Sequence, residues 1–139
     1  APMGAYLAVA GKFDWLPLML SLVVFFWVSG FDIIYALQDE EIDKNLNLKS
    51  IPSMSGKKQA LDMAKILHIT SAIFVVAVAV LTPAGGLHIA GAIVFVVLLA
   101  YQHTLVKTID LSRVNLAFFT TNGIASVIYG LLVIVDLFI

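Results

Sequence analysis

The sequence contains no cysteine and few charged residues, and each shortage excludes a class of protein. Without cysteine there is no disulfide framework, no thiolate metal ligand and no cysteine nucleophile. Charged residues make up only 12 % of the 139 residues and hydrophobic residues 61 %, whereas a soluble domain carries about 25 % charged residues. Mean hydropathy is +1.03. The net charge of −1, with no basic run, excludes a nucleic-acid-binding surface. The composition therefore predicts an integral membrane protein.

The few charges are unevenly placed, and their spacing predicts the architecture. Residues 15–38 contain a single charge, Asp32, and residues 66–106 and 114–135 contain none. A membrane-spanning helix needs about 20 apolar residues, so the stretch 66–106 is too long for one span. Thr82–Gly86, which contains Pro and two Gly, predicts a tight turn within it. We predict an all-α, polytopic transmembrane helix bundle, a single domain over residues 1–139. Its four full spans are residues 15–38, 63–82, 88–106 and 114–135.

The two remaining segments complete this prediction. Residues 1–11 resemble the end of an earlier span, and Lys12–Asp14 would be its exit turn. Because the chain opens with Ala-Pro in mid-helix, we expect a fragment or a processed piece of a longer protein. Residues 39–62 form the long polar connection, in which Ile51–Gly56 is predicted to be a loop before a helix that begins near Lys57.

The distribution of Lys and Arg predicts the orientation in the membrane. Seven of the eight cationic residues lie on the side of the connection 39–62, and only Lys12 lies on the other side. By the positive-inside rule, this connection faces the cytoplasm. We therefore expect a multi-pass protein of a bacterial-type inner membrane, with its polar loops in the cytoplasm. The seven cationic residues are Lys44, Lys49, Lys57, Lys58, Lys65, Lys107 and Arg113.

Carboxylates are concentrated where the first predicted span ends. If the helix continues, Asp39 and Asp43 lie about 20° on either side of Asp32, and Tyr35 lies beside this stripe. A carboxylate within a span is energetically unfavourable and should face a cavity or a partner. Like charges one turn apart also repel each other, so a cation should offset them.

Oxygen ligands without nearby His or Cys are typical of a hard cation such as Mg²⁺, which binds through one or two carboxylates plus substrate phosphates. Lys44 and Lys49 follow closely and could contact phosphate oxygens. The segment therefore predicts a site for Mg²⁺ and a diphosphate. An alternative is that these acidic residues are simply a solvated helix end at the membrane surface, because the spacing of two aspartates alone is not specific.

Three segments resemble the UbiA family of membrane prenyltransferases. Asp32-Ile-Ile-Tyr35-Ala-Leu-Gln-Asp39, continued by Asp43 and by Leu48-Lys49-Ser50, closely resembles the second aspartate-rich motif of that family. Tyr101-Gln-His-Thr-Leu-Val106 and Asp110-Leu-Ser-Arg-Val-Asn115, with Phe118, Phe119, Asn122 and Gly123, resemble late helices of its 4-hydroxybenzoate branch. The resemblance covers essentially the whole chain. The first motif of the family, NxxxDxxxD, is absent from this sequence.

The resemblance implies a nine-helix protein whose two motifs hold Mg²⁺ and the diphosphate of a polyprenyl donor. It implies transfer of the polyprenyl chain to an aromatic acid, with 4-hydroxybenzoate in quinone biosynthesis favoured over a naphthoate or a haem. Asp39 and Asp43 would be the catalytic, metal-binding pair. The substrate-binding candidates are Lys49, Asp32, Tyr35 and Arg113. Because one motif is absent, we expect this chain to be inactive without the N-terminal half, which would come from the same protein or from a second chain.

Two functions stay open on the sequence alone. The first is the C-terminal part of this prenyltransferase. The second is a non-enzymatic small membrane protein, an assembly factor or carrier whose acidic loop binds a cation or a partner. Among the other polar residues, the histidines are expected to be interfacial or hydrogen-bonded in the core, and Asp136 is expected to have no special role.

Overall fold

A computed structural model describes residues 1–83 and 85–139, and 83 % of the protein is helical. Four segments are long and apolar enough to cross a membrane, so the predicted all-α bundle with four spans is confirmed. The predicted turn Thr82–Gly86 contains Ala84, which lies outside the described residues. The helices are α1 (Pro2–Ala10), α2 (Trp15–Ala36), α3 (Glu40–Asn45), α4 (Ile51–Leu81), α5 (Gly86–Leu105) and α6 (Asn122–Asp136). A 3-10 turn (Leu37–Asp39) follows α2, and a π-helix (Leu116–Thr121) leads into α6.

The connection between α3 and α4 is defined by a cap on each helix. Asn47 adopts the left-handed conformation (φ 55°) just after α3. Its backbone N–H donates to the Lys44 carbonyl at 3.2 Å, and the Leu48 N–H donates to the Asp43 carbonyl at 2.8 Å. These two bonds form a Schellman motif, which satisfies the last carbonyls of α3 and stops the helix.

Residues 51–55 are helical and only Gly56 departs from the helix, so the loop predicted over Ile51–Gly56 was wrong. Ser50 caps α4 by accepting a hydrogen bond from the Ser53 N–H at 3.3 Å, and Pro52 occupies the first turn, where its missing N–H costs nothing. At Gly56 the backbone leaves the helical region (φ 81°), which kinks α4. The regular part of the helix resumes at Lys57, where the sequence predicts a helix start.

Helix packing produces one buried cluster near each end of the bundle. α2 packs against α4, and α5 packs against both α4 and α6. The cluster at one end joins residues of α2, α4 and α5 to the segment after α5, and it includes Ile34, Leu37, Ala64 and Val114. The cluster toward the other end is centred on Phe95 of α5. Both clusters depend on small residues, which let helices approach closely in a membrane.

Polar side chains also join the helices. The Ser71 hydroxyl donates to the Val23 carbonyl at 2.9 Å, and the Trp27 indole N–H donates to Asn122 Oδ1 at 3.1 Å. Within lipid such groups need internal partners, because no water satisfies them.

Asp136 has a structural role that the sequence did not indicate. Its carboxylate accepts hydrogen bonds from the Gly85 N–H at 2.7 Å and the Leu87 N–H at 3.0 Å, at the start of α5. The end of α6 therefore caps the N-terminus of α5, where free N–H groups and the helix dipole favour a negative charge. The expectation that Asp136 has no special role was wrong.

Candidate active site

One end of the bundle brings together the two polar connections; we call it the acidic end. It comprises the segment from the end of α2 to the Gly56 kink, together with residues 106–115. Leu37, Val106 and Val114 pack in the same buried cluster, which holds the two connections side by side. The candidate residues of the sequence therefore share one end of the molecule.

Asp39 and Asp43 lie four residues apart at the start of the short helix α3. Asp39 is exposed and precedes α3 directly, and Asp43 lies within α3 and is partly buried. The condition for a continuous stripe with Asp32 is not met, because the α-helix ends at Ala36 and a 3-10 turn follows. A 3-10 turn rotates each residue by about 120° instead of 100°, which turns Asp39 by roughly 60° from the predicted line. The two motif carboxylates nevertheless remain one turn apart.

Glu40, between them, is the carboxylate that sequence reasoning missed. It is only 7 % exposed, and its Oε1 and Oε2 lie 2.6 Å from Lys44 Nζ and 3.7 Å from Lys57 Nζ, respectively. The hydrogen bond from Lys44, with the charges of both lysines, holds the pKa of Glu40 below its usual 4.5. Because Lys57 belongs to α4, Glu40 ties the short acidic helix to the next span. The spacing of Glu40 and Lys44 is visible in the sequence, but the approach of Lys57 depends on the Gly56 kink.

Asp32 and Tyr35 lie on the last turns of α2, before the acidic segment. Both are exposed. The Tyr35 ring packs on Phe118 of the π-helix, with ring centroids 4.4 Å apart, and Phe31 contacts the same Phe118 at 5.1 Å. An aromatic surface thus begins about one turn from Asp39.

Lys49 and Arg113 are the two cationic candidates, and both are exposed. Lys49 lies between the Schellman motif of α3 and the cap residue Ser50. Arg113 follows a tight turn in which Lys107 and Asp110 exchange two backbone hydrogen bonds of 3.1 Å. Among the described residues, neither cation forms an ion pair with a carboxylate, so both remain available for an anion.

The donors of the acidic end fit Mg²⁺ shared with a phosphate. Within residues 1–83 and 85–139, no group of three or more His, Cys, Asp or Glu side chains could hold a metal ion. Asp39 and Asp43 supply two carboxylates and Glu40 is neutralised by its lysines, so a closed cage of protein ligands does not form. Mg²⁺ commonly binds through one or two carboxylates together with substrate phosphates. This pair suits that mode.

His68 and His88 are buried in the core, one of the two settings expected from the sequence, and His103 is partly buried. His68 is buried, and its Nδ1 lies 2.8 Å from His103 Nε2 and 2.7 Å from Gln102 Nε2. Its Nε2 lies 3.1 Å from the Trp27 carbonyl. A Cβ at Gly30 would overlap the His68 ring, so α2 and α4 can approach only with glycine at this position. His88 is buried beside Tyr129.

The four apolar helices and the polar segments at one end define an integral, multi-pass membrane protein. Residues 1–124 match the UbiA prenyltransferase family, and the chain belongs to that family. The resemblance drawn from the aspartate-rich segment is thereby confirmed.

One relative is a 4-hydroxybenzoate octaprenyltransferase of Aromatoleum aromaticum (strain DSM 19018 / LMG 30748 / EbN1). The two sequences are 27 % identical over 135 residues, which is 96 % of this chain and 45 % of the relative. The chain thus spans about half the length of the relative that it matches. No solved structure matches the chain.

Proposed function

We propose that the protein containing this chain transfers a polyprenyl group from its diphosphate to an aromatic acid in the membrane. Membership of a prenyltransferase family supports this reaction class. The observation that carries the assignment to this end of the bundle is the geometry of Asp39 and Asp43, two accessible carboxylates one turn apart beside an aromatic surface. For the acceptor we propose 4-hydroxybenzoate, after the relative named for that substrate, and a role in quinone biosynthesis.

In this proposal each residue of the acidic end has a stated task. Asp39 and Asp43 would hold Mg²⁺, which supplies charge to stabilise the diphosphate leaving group. Lys49 and Arg113 would contact phosphate oxygens, because both are exposed cations on connections that meet at this end. Asp32 and Tyr35, deeper along α2, would line the cavity that receives the reacting carbons.

Two further parts of the proposal concern the setting of the site. Two carboxylates are too few to hold all the metal ions that a bound diphosphate needs. The chain covers only 45 % of the relative's length. We propose that the first aspartate-rich motif, supplied by an N-terminal half, completes the site. Seven of eight cationic residues on one side support a cytoplasmic acidic end, in a bacterial-type inner membrane.

The test is transfer of a polyprenyl group to labelled 4-hydroxybenzoate in membranes that contain the complete protein. We expect transfer to require Mg²⁺ and to stop when a chelator is added. Asp39→Asn and Asp43→Asn should each lower kcat/KM by at least about 100-fold, because a charge that stabilises the leaving group is lost. Glu41→Gln is the matched control, since Glu41 is an exposed acid of the same helix, and it should stay within a few-fold of wild type.

Retained activity in either aspartate variant would contradict the metal assignment. Absence of transfer to any aromatic acid by the complete wild-type protein would contradict the enzyme function and favour a non-enzymatic membrane protein. Transfer to a dihydroxynaphthoate in preference to 4-hydroxybenzoate would change only the acceptor.

A further inference from the structure

Four aromatic rings form a continuous cluster where α2 meets the π-helix. Phe31 and Tyr35 come from α2, and Phe118 and Phe119 come from the π-helix. Phe118 contacts both rings of α2, with centroids 5.1 Å from Phe31 and 4.4 Å from Tyr35, and Phe119 lies 6.2 Å from Tyr35. Phe118 and Phe119 are themselves 4.7 Å apart and nearly perpendicular. We call this group the aromatic cluster.

Phe118 and Phe119 are consecutive residues, and both lie in the π-helix. In an α-helix, neighbouring side chains point about 100° apart, so Phe118 and Phe119 would diverge around the axis. A π-helix closes its hydrogen bonds over five residues, which widens the turn and reduces this divergence. The Thr121 hydroxyl supports the wider turn by donating to the Leu116 carbonyl at 3.2 Å. Such segments recur at functional sites.

The exposed rings of the cluster lie beside the proposed diphosphate site. Tyr35 is 39 % exposed and Phe119 is 63 % exposed, so a large aromatic surface remains open. Tyr35 precedes Asp39 by four residues, and one α-helical step followed by three 3-10 steps corresponds to about 7–8 Å along the axis. In an allylic diphosphate the reacting carbon is bonded directly to the phosphate oxygen. A diphosphate held at Asp39 therefore places that carbon within reach of the rings.

We propose that Tyr35, Phe118 and Phe119 form the subsite that stabilises the allylic cation. This inference rests on the proposed function and adds to it the residues that act on the carbon part of the donor. Aromatic faces attract cations electrostatically, most strongly where water is excluded. A neutral apolar side chain would give the same packing without this attraction.

At this subsite the donor ionises, and the resulting allylic cation can react with the acceptor or with water. The bond between the allylic carbon and the phosphate oxygen breaks, and its electron pair leaves with the diphosphate. The aromatic acceptor then forms a carbon–carbon bond to the allylic cation through a ring carbon, and that ring carbon loses its proton to an oxygen of the released diphosphate. If water reaches the cation first, it forms a carbon–oxygen bond and loses a proton, which yields the prenyl alcohol. The aromatic cluster stabilises the cation and excludes water from it.

The first experiment measures how much of the allylic cation reacts with the acceptor and how much reacts with water. In the complete protein, Phe118→Leu and Phe119→Leu should each lower kcat by about tenfold, which corresponds to a cation–π contact intermediate between an exposed and a desolvated one. Each should also raise the ratio of prenyl alcohol to prenylated product, while KM for the acceptor changes little. Tyr35→Leu removes another ring of the cluster and should match the Phe118 variant.

The matched control is Phe25→Leu. Phe25 is also an exposed phenylalanine of α2, at 61 % exposure, but its ring neighbour is Phe26 and not a member of the cluster. It should leave kcat and the product ratio unchanged. A change of equal size in the control would mean that the cluster variants act through general packing, and it would overturn the subsite.

A second experiment reports binding without turnover. Trimethylgeranylammonium carries a fixed positive charge on an isoprenoid chain, and with inorganic diphosphate it mimics the separated ion pair. Its affinity should fall about tenfold in Phe118→Leu and remain unchanged in Phe25→Leu. Equal affinity in wild type and Phe118→Leu would overturn the subsite even if catalysis is impaired.

The outcomes separate this inference from the proposed function. If wild type transfers prenyl groups and Asp39→Asn does not, while Phe118→Leu has normal kcat and product ratio, the subsite is wrong and the function stands. If wild type shows no transfer, the function is wrong, and the subsite is overturned with it.

Discussion

The two ends of the bundle use carboxylates in opposite ways. At one end, Asp136 has a structural role, because its carboxylate accepts two backbone hydrogen bonds from the start of α5. At the acidic end, Asp39 and Asp43 make no side-chain hydrogen bond or ion pair within the described residues, whereas their neighbour Glu40 makes two ion pairs. A carboxylate that the fold satisfies contributes to stability. One left exposed beside it is free to bind a ligand.

Glu40 explains how both uses can occur within four residues. Its carboxylate pairs with Lys44 and Lys57, and among the described residues neither lysine forms an ion pair with Asp39 or Asp43. The short helix α3 is thereby held against α4 without using Asp39 or Asp43. Stability and ligand binding are divided between neighbouring residues of one segment.

The largest effect on stability is expected from Asp136→Ala. Loss of a helix cap costs about 0.5–2 kcal/mol, and the value should lie toward the upper limit because two N–H groups lose a charged partner. The free energy of unfolding in mixed detergent micelles measures this change. Asp136→Asn should recover part of it, since Asn is also a good cap. An unchanged free energy of unfolding in Asp136→Ala would mean that the contact between α5 and α6 is held by packing alone.

Gly85→Ala should lower stability by a similar or smaller amount, because it disturbs the same contact between Asp136 and the start of α5. A Cβ at residue 85 would overlap the Asp136 carboxylate, which must then move away from the cap. We expect a loss of about 1 kcal/mol. Gly86→Ala is the matched control, because a Cβ there meets open space. The double variant with Asp136→Ala should be far from additive, since both changes remove one interaction; additive losses would show two independent effects.

Glu40→Gln should lower stability by about 0.5–1 kcal/mol at pH 7, because the pairs are only partly shielded from solvent. The lysines hold the pKa of Glu40 below 4.5, so its contribution is complete above about pH 4.5 and disappears as the pH falls through the lowered pKa. The difference between wild type and variant should therefore shrink toward pH 3. Glu41→Gln controls for general charge, and a difference that is independent of pH would contradict the ion pairs.

The spans could be predicted from sequence because membrane solvation depends on composition over about 20 residues and not on detailed contacts. The spacing of Asp39 and Asp43 could also be predicted from sequence, since two residues four apart remain about one turn apart whether the chain forms a 3-10 turn or an α-helix. The alignment of this pair with Asp32 could not be predicted. The 3-10 turn at Leu37 changes the angle between successive side chains, and no residue in the segment indicates that turn clearly.

The features that sequence did not reveal all depend on contacts between distant residues. Lys57 reaches Glu40 only because Gly56 kinks α4, and Asp136 caps α5 only because α6 returns to Gly85. Phe118 and Phe119 were part of a family resemblance, but their joint approach to Tyr35 is a contact between distant residues, and both lie in a π-helix. Periodicity rules assume a regular helix, and they cannot anticipate segments that depart from it, such as this π-helix and the 3-10 turn Leu37–Asp39.

Asp39→Asn is expected to have the smallest effect on stability, and it tests most directly the contrast between the two ends of the bundle. Asp39 precedes α3 without a side-chain capping bond, and Asn would relieve the repulsion with Asp43, which is worth about 0.2–0.5 kcal/mol at this spacing. Measured in the presence of a chelator, the free energy of unfolding should stay unchanged or rise by that amount, although activity is lost. A decrease of more than about 1 kcal/mol, well beyond a typical surface change, would mean that Asp39 supports the fold. The contrast between the two ends would then fail.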